Sequence, residues 1–106
     1  MKITQEQLNR FDKDGYLFFP SLFTPKEIQY LNEAVPELYD RREEYNFREK
    51  GSDVVRTNFA AHMYSKPFAK LARHPRMIKP VENLLQESLY MHQFKINGKM
   101  AFEGDV

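Results

Sequence analysis

Cysteine is absent from the chain, which excludes disulfides and thiolate metal sites and suits a reducing, cytoplasmic setting. A surplus of either charge is missing too: sixteen basic residues stand against fifteen acidic ones, a net charge of +1. Nucleic-acid binding normally needs a clustered excess of Lys and Arg to neutralise phosphates, so no nucleic-acid partner is expected. The apolar run Tyr16-Leu-Phe-Phe19 is far too short to span a membrane, and no membrane partner is expected. Met1-Lys-Ile-Thr-Gln-Glu6 leads into an amphipathic segment, so no secretory signal is visible. There is no phosphate loop, nucleotide fingerprint or nucleophile elbow. His62, His74 and His92 form no H-x-D, H-x-H or H-x-x-x-H spacing, so a metal site made by this chain alone is not expected. Carboxylates are plentiful, yet no pair is placed for acid and base work.

What is present suits one small globular domain of 106 residues, with 42% hydrophobic and 29% charged content. Aromatic residues supply 14% of the chain, so much of the core must be ring-packed. Thr4-Gln-Glu-Gln7 has the spacing of a capping box, and Leu8 and Phe11 continue a short helix that Gly15 ends. Tyr16 to Phe19 then reads as a buried strand stopped by Pro20. Thr24-Pro-Lys-Glu27 is a second start signal, combining a capping hydroxyl, Pro at the first helical position and Glu at the third. Ile28, Leu31, Val35, Leu38 and Tyr39 extend its apolar stripe, with Pro36 expected to kink the helix.

From Asp40 to Asp53 the composition is highly charged and reads as a helix end followed by an exposed loop. Val54 to Phe59 is strand-like. Two brief helices are expected near Pro67 to Ala72 and Pro75 to Gln86, then a strand from Ser88 to Asn97 and a loop from Gly98 to Val106. His74, ahead of Pro75, suits a structural role at a helix start. His62 follows the turn after Phe59, where it could be structural or face a cleft.

The strand Leu89-Tyr-Met-His-Gln-Phe-Lys-Ile-Asn97 separates two unlike faces, because side chains alternate with a period of two. Gln93, Lys95 and Asn97 point one way. Tyr90, Phe94 and Ile96 point the other, with His92 among them as a core imidazole bonded to backbone. A row of amide, cation and amide suits the wall of a pocket for an anionic or zwitterionic small molecule. It also suits a half-buried strand with a solvated face, the commoner source of such alternation. Residues alone give an α+β domain with a polar wall and no complete catalytic apparatus.

At Tyr90-Met-His-Gln-Phe-Lys-Ile-Asn-Gly-Lys99, with Glu103-Gly-Asp-Val106 after it, the sequence resembles the phytanoyl-CoA dioxygenase superfamily, and within it the ectoine hydroxylases and free L-proline 4-hydroxylases. Supporting likenesses are Asp14-Gly-Tyr16, Val55-Arg56 with Phe59 and His62, and Arg73-His-Pro-Arg76. The resemblance implies a double-stranded β-helix, a jelly-roll or cupin-like barrel braced by helices that holds Fe(II) and 2-oxoglutarate. Residues 1–106 would then be the N-terminal portion of a single dioxygenase domain, an incomplete fold of helices and first strands. The family's H-x-D and later His ligands fall beyond Val106, as does the basic residue for the distal carboxylate of 2-oxoglutarate. The chain alone is therefore expected to be inactive and to need a missing C-terminal portion.

By the same resemblance, Asn97, Lys99 and Phe59 match positions near 2-oxoglutarate, and Gln93 and Lys95 match substrate-contacting positions. Lys95 stands where ectoine hydroxylase has Arg, and makes a point contact where Arg grips with two bonds. The implied activity is hydroxylation of a small amino acid or related zwitterion, with 2-oxoglutarate and O2 as co-substrates. Two alternatives stay open. One is a non-catalytic binding or interaction module on the same scaffold, and the other is an iron-dependent halogenase in the complete protein.

Overall fold

A computed structural model describes residues 2–99, so the stretch from Glu103 to Val106 and most of the loop expected after Gly98 lie outside the described residues. Helices α1 (Gln5–Asp14), α2 (Pro25–Asp40), α3 (Lys66–Ala72) and α4 (Pro75–Leu85) are joined to strands β1 (Asn46–Arg48), β2 (Val55–Phe59) and β3 (Lys95–Asn97). The strands form an antiparallel sheet in the order β1-β2-β3.

Both start signals are realised as capping boxes. The Thr4 and Thr24 hydroxyls accept from the backbone N–H of Gln7 and Glu27, whose side chains accept in return from the cap N–H groups. Each box satisfies N-terminal donors that have no partner within the helix. Gly15 closes α1 at φ 80°, in the left-handed region that glycine enters without a Cβ penalty, and donates its N–H to the Phe11 carbonyl at 2.8 Å. Helix α2 runs on through Pro36 to Asp40. His74 is structural, as expected: it is the N-cap of α4, its Nδ1 accepting from the Arg76 N–H at 3.1 Å.

The core lies between α2, α3 and the inner side of the sheet. Leu38, Ala61 and Phe68 are its buried centre, with Leu31, Val35, Tyr39, Leu71, Phe94 and Ile96 packed around them. A second anchor joins the start of α2 to the start of α4. Arg76 donates to both carboxylate oxygens of Glu27 and to the Leu22 carbonyl, while its guanidinium lies 4.9 Å from the centre of the Phe23 ring. With those donors and the Thr24 N–H on it, the Glu27 carboxyl is held down at about 2.

Four expectations need correction. Tyr16 to Phe19 forms no strand, and Tyr16 and Phe18 are exposed, because the segment has no partner strand among the described residues. The charged stretch after Asp40 contains β1, whose Asn46 is buried. The strand expected from Ser88 is paired only over Lys95–Asn97, where β2 supplies the partner. Tyr90 and His92, placed on the apolar face, are exposed, because the alternation begins only at Gln93.

Candidate functional site

Hydrogen bonding along the sheet decides which side chains meet. The Gly98 N–H donates to the Arg56 carbonyl and the Ala60 N–H to the Phe94 carbonyl, at 2.9 and 2.7 Å. Opposed pairs in an antiparallel ladder alternate between hydrogen-bonded and narrow, non-hydrogen-bonded sites. The Thr57–Asn97 and Phe59–Lys95 pairs therefore fall at the narrow sites, where opposed side chains approach most closely.

Both pairs use that proximity. The Thr57 hydroxyl donates to Asn97 Oδ1 at 3.1 Å. Lys95 Nζ lies 5.4 Å from the centre of the Phe59 ring, within the range of a cation–π contact. Phe47, opposite Thr57 on β1, adds an edge-to-face contact with Phe59 at 5.0 Å between ring centres. One side of the sheet thus presents Phe47, Thr57, Phe59, Lys95 and Asn97 together. Phe47 is 57% exposed, so this side is open to solvent.

The other side is closed, and its polar groups are paired among themselves. Asn58 is fully buried and donates to Asn46 Oδ1 at 2.6 Å. Asn46 in turn donates to the carbonyls of Leu38 and Arg41 at the end of α2, at 2.7 and 2.9 Å. The Tyr64 hydroxyl sits 2.9 Å from Asn58 Oδ1 and 2.7 Å from the Phe59 carbonyl, and Tyr45 stacks on the Tyr64 ring. Burial raises the Tyr64 hydroxyl pKa and keeps it a neutral donor. A bulge between Phe47 and Arg48 shifts the register so that Val55 returns to the buried side while Arg56 stays exposed. Position 98 also matters: a Cβ on Gly98 would stand 3.0 Å from both the Tyr39 hydroxyl and the Val55 carbonyl.

Four of the five residues singled out from the sequence divide between two neighbouring places. Phe59, Lys95 and Asn97 share the open sheet face. Gln93 and Lys95 line a groove of about 780 Å³ between α4 and the segment leading into β3. Lys95 belongs to both. Lys99 is exposed two residues beyond Asn97. His62 also borders the groove, stacked on Phe94 at 5.0 Å, with its buried Nδ1 lacking a hydrogen-bond partner among the described residues. Sequence reasoning missed Thr57 and Phe47. Thr57 was visible as the polar member of the Val55-to-Phe59 alternation, but its partner Asn97 lies 40 residues away.

The open face offers an amide, held by the Thr57 hydroxyl, and an ammonium against two aromatic rings, with no carboxylate among the five side chains, a set that fits a small carboxylate ligand. It does not fit a metal: among the described residues no group of three His, Asp or Glu side chains could hold one. No helix among the described residues is long and apolar enough to cross a membrane.

No protein-family model matches the chain. It is similar to the ectoine dioxygenase of Nocardia farcinica, with 32% identity over 97% of this chain and 36% of that protein. It is also similar to the L-proline trans-4-hydroxylase of Streptomyces griseoviridis, with 30% identity over 90% of this chain and 35% of that protein. The chain thus spans about a third of the length of the curated relatives it matches. Among solved structures, EctD from S. alaskensis with bound Fe superposes with a TM-score of 0.82 and 29% identity, over 90% of this chain and 35% of that one. The same protein with 2-oxoglutarate and 5-hydroxyectoine gives a TM-score of 0.80 at 28% identity.

Proposed function

We propose, from the kinship of this chain with ectoine dioxygenases and proline 4-hydroxylases of the phytanoyl-CoA dioxygenase superfamily, that it is part of an Fe(II)/2-oxoglutarate-dependent hydroxylase. The substrate class is a small amino acid or related zwitterion. The described residues form the helix-backed first portion of a single jelly-roll dioxygenase domain, in a cytoplasmic protein, and are inactive without the remainder. The observation that carries this reading is the open sheet face itself, where Phe59, Lys95 and Asn97 stand side by side while the opposite face is sealed against α2.

In this reading the Asn97 amide donates to a carboxylate of 2-oxoglutarate, and the Phe59 ring shields the carbon chain from water. Lys99 adds positive charge beside the same cofactor. Gln93 and Lys95 orient the substrate, the ammonium by attraction to its carboxylate. Lys95 rests over Phe59, so the cofactor and substrate positions share a wall. When bound, iron would activate O2, which is the oxidant, with 2-oxoglutarate as co-reductant, one oxygen atom ending in the new hydroxyl and the other in succinate as carbon dioxide leaves. The iron ligands come from outside the described residues.

The test uses the full-length protein with iron, 2-oxoglutarate and a panel of amino acids and cyclic zwitterions, reading succinate release and hydroxylated product. Asn97→Ala is expected to raise the KM for 2-oxoglutarate about tenfold or more, by removing a hydrogen bond to a charged group. Gln93→Ala is expected to raise the KM of the zwitterion instead. Iron-independent behaviour with no succinate from any substrate would make the protein a binding module on this scaffold, and a chlorinated product would make it a halogenase.

A further inference from the structure

Asparagine is an ambivalent ligand, because its amide carries a donor and an acceptor and can present either. A carboxylate needs only the donor. In this structure one end of the amide is already held: the Thr57 hydroxyl, opposite Asn97 at a narrow site of the β2–β3 ladder, donates to Asn97 Oδ1 at 3.1 Å. With Oδ1 engaged, Nδ2 is the end of the amide left for the open face, and no hydrogen bond between described residues uses it.

We infer that Thr57 is a positioning residue that fixes the orientation of the Asn97 amide, converting an ambivalent group into a dedicated donor for an anionic carboxylate. The inference rests on the cofactor reading of Asn97 given above. Thr57 itself does not touch the ligand.

Three features of the structure support it. Thr57 reaches its partner across paired strands, so backbone geometry as well as side-chain packing holds the two groups in register. Threonine is β-branched, with few rotamers available in a strand, so the position of its hydroxyl oxygen is restricted. The neighbouring Asn58 locks β2 from behind through Asn46 and Tyr64, which limits sliding of the strand that carries Thr57. A ligand therefore meets an amide whose orientation is already set, and the ordering cost of binding falls.

The test is a cycle of variants in the full-length protein, read by calorimetric titration with 2-oxoglutarate and by the NMR signals of the Asn97 side-chain NH2. Thr57→Val keeps shape and β-branching but removes the hydroxyl. It is expected to weaken 2-oxoglutarate binding about tenfold, as loss of one hydrogen bond that orders a charged contact, and to move the Asn97 NH2 signals. Thr57→Ser keeps the hydroxyl and is expected to bind within about threefold of the parent protein, well inside one hydrogen bond's worth. In the Asn97→Ala background, Thr57→Val is expected to have no further effect, because the hydroxyl acts only through the amide.

Equal loss from Thr57→Val in both backgrounds would overturn the inference, as would equal loss from Val and Ser. Unchanged binding by Thr57→Val while Asn97→Ala weakens it would overturn the positioning role and leave the cofactor reading standing. Unchanged binding by Asn97→Ala would remove the cofactor reading itself.

Discussion

The two sides of the three-stranded sheet are built from the same strands and treat polar residues in opposite ways. On the inner side, Asn46, Asn58 and Tyr64 engage one another and the carbonyls at the end of α2. On the outer side, Lys95 faces outward over an aromatic ring, and Asn97 gives only its oxygen to Thr57. Buried polar groups must find partners within the protein, since an unpaired one costs about 1–3 kcal/mol. Exposed ones are under no such demand and can be kept for a ligand. The contrast separates groups that hold the scaffold from groups able to recognise something.

The contrast can be broken most severely from the core. Leu38 is fully buried against Ala61 and Phe68, and Leu38→Ala should destabilise the folded protein by about 2–5 kcal/mol. Chemical denaturation of the full-length protein measures this through the midpoint. Next comes the inner polar network: Asn58→Ala strands Asn46 Oδ1 in a buried site and should cost about 1–3 kcal/mol. A cost close to zero would mean that the inner and outer faces do not differ in the way described.

Acid provides a subtler probe of the scaffold. Glu27 is held at about 2 against an ordinary value of 4.5, chiefly by Arg76. Because the folded value is the lower one, the stabilisation is fully present above pH 4.5 and is lost as pH falls from there toward 2. Melting temperature should drop more steeply over that window in the parent protein than in Glu27→Gln, whose side chain can still accept from the Thr24 N–H. The smallest effect on stability belongs to the outer face: Lys95→Ala should change it by about 0.5 kcal/mol or less, while the proposed function requires it to raise the KM of a zwitterionic substrate. A large loss of stability there would erase the distinction between the two faces.

Legibility in the sequence followed the range of the interactions. The two capping boxes involve residues three apart, and both were readable from Thr4-to-Gln7 and Thr24-to-Glu27 spacing. The alternation from Gln93 to Asn97 was readable because period two survives wherever one face is buried, and Phe94 and Ile96 do pack on the core. Strand β1 was not. Its three residues lie in a charged stretch, and its buried member is an asparagine satisfied by Asn58, twelve positions away. Tyr16 to Phe19 shows the reverse error: aromatic content suggested a strand, but pairing depends on a partner that composition does not reveal. The ligand chemistry came from the likeness from Tyr90 onward and not from residue pattern, which left a polar wall open to a solvated-face reading.

Gly98 sits one residue beyond Asn97, where the tip of the Tyr39 side chain and the Val55 carbonyl occupy the room a methyl group would take. The close approach of the last turn of α2 and the β2 backbone to the chain just past the amide consequently depends on the absence of a side chain at position 98. Engineers who wish to retune this wall would do better to vary Thr57 or Lys95 than position 98, where any added carbon presses on the tip of Tyr39 and on the β2 backbone at once.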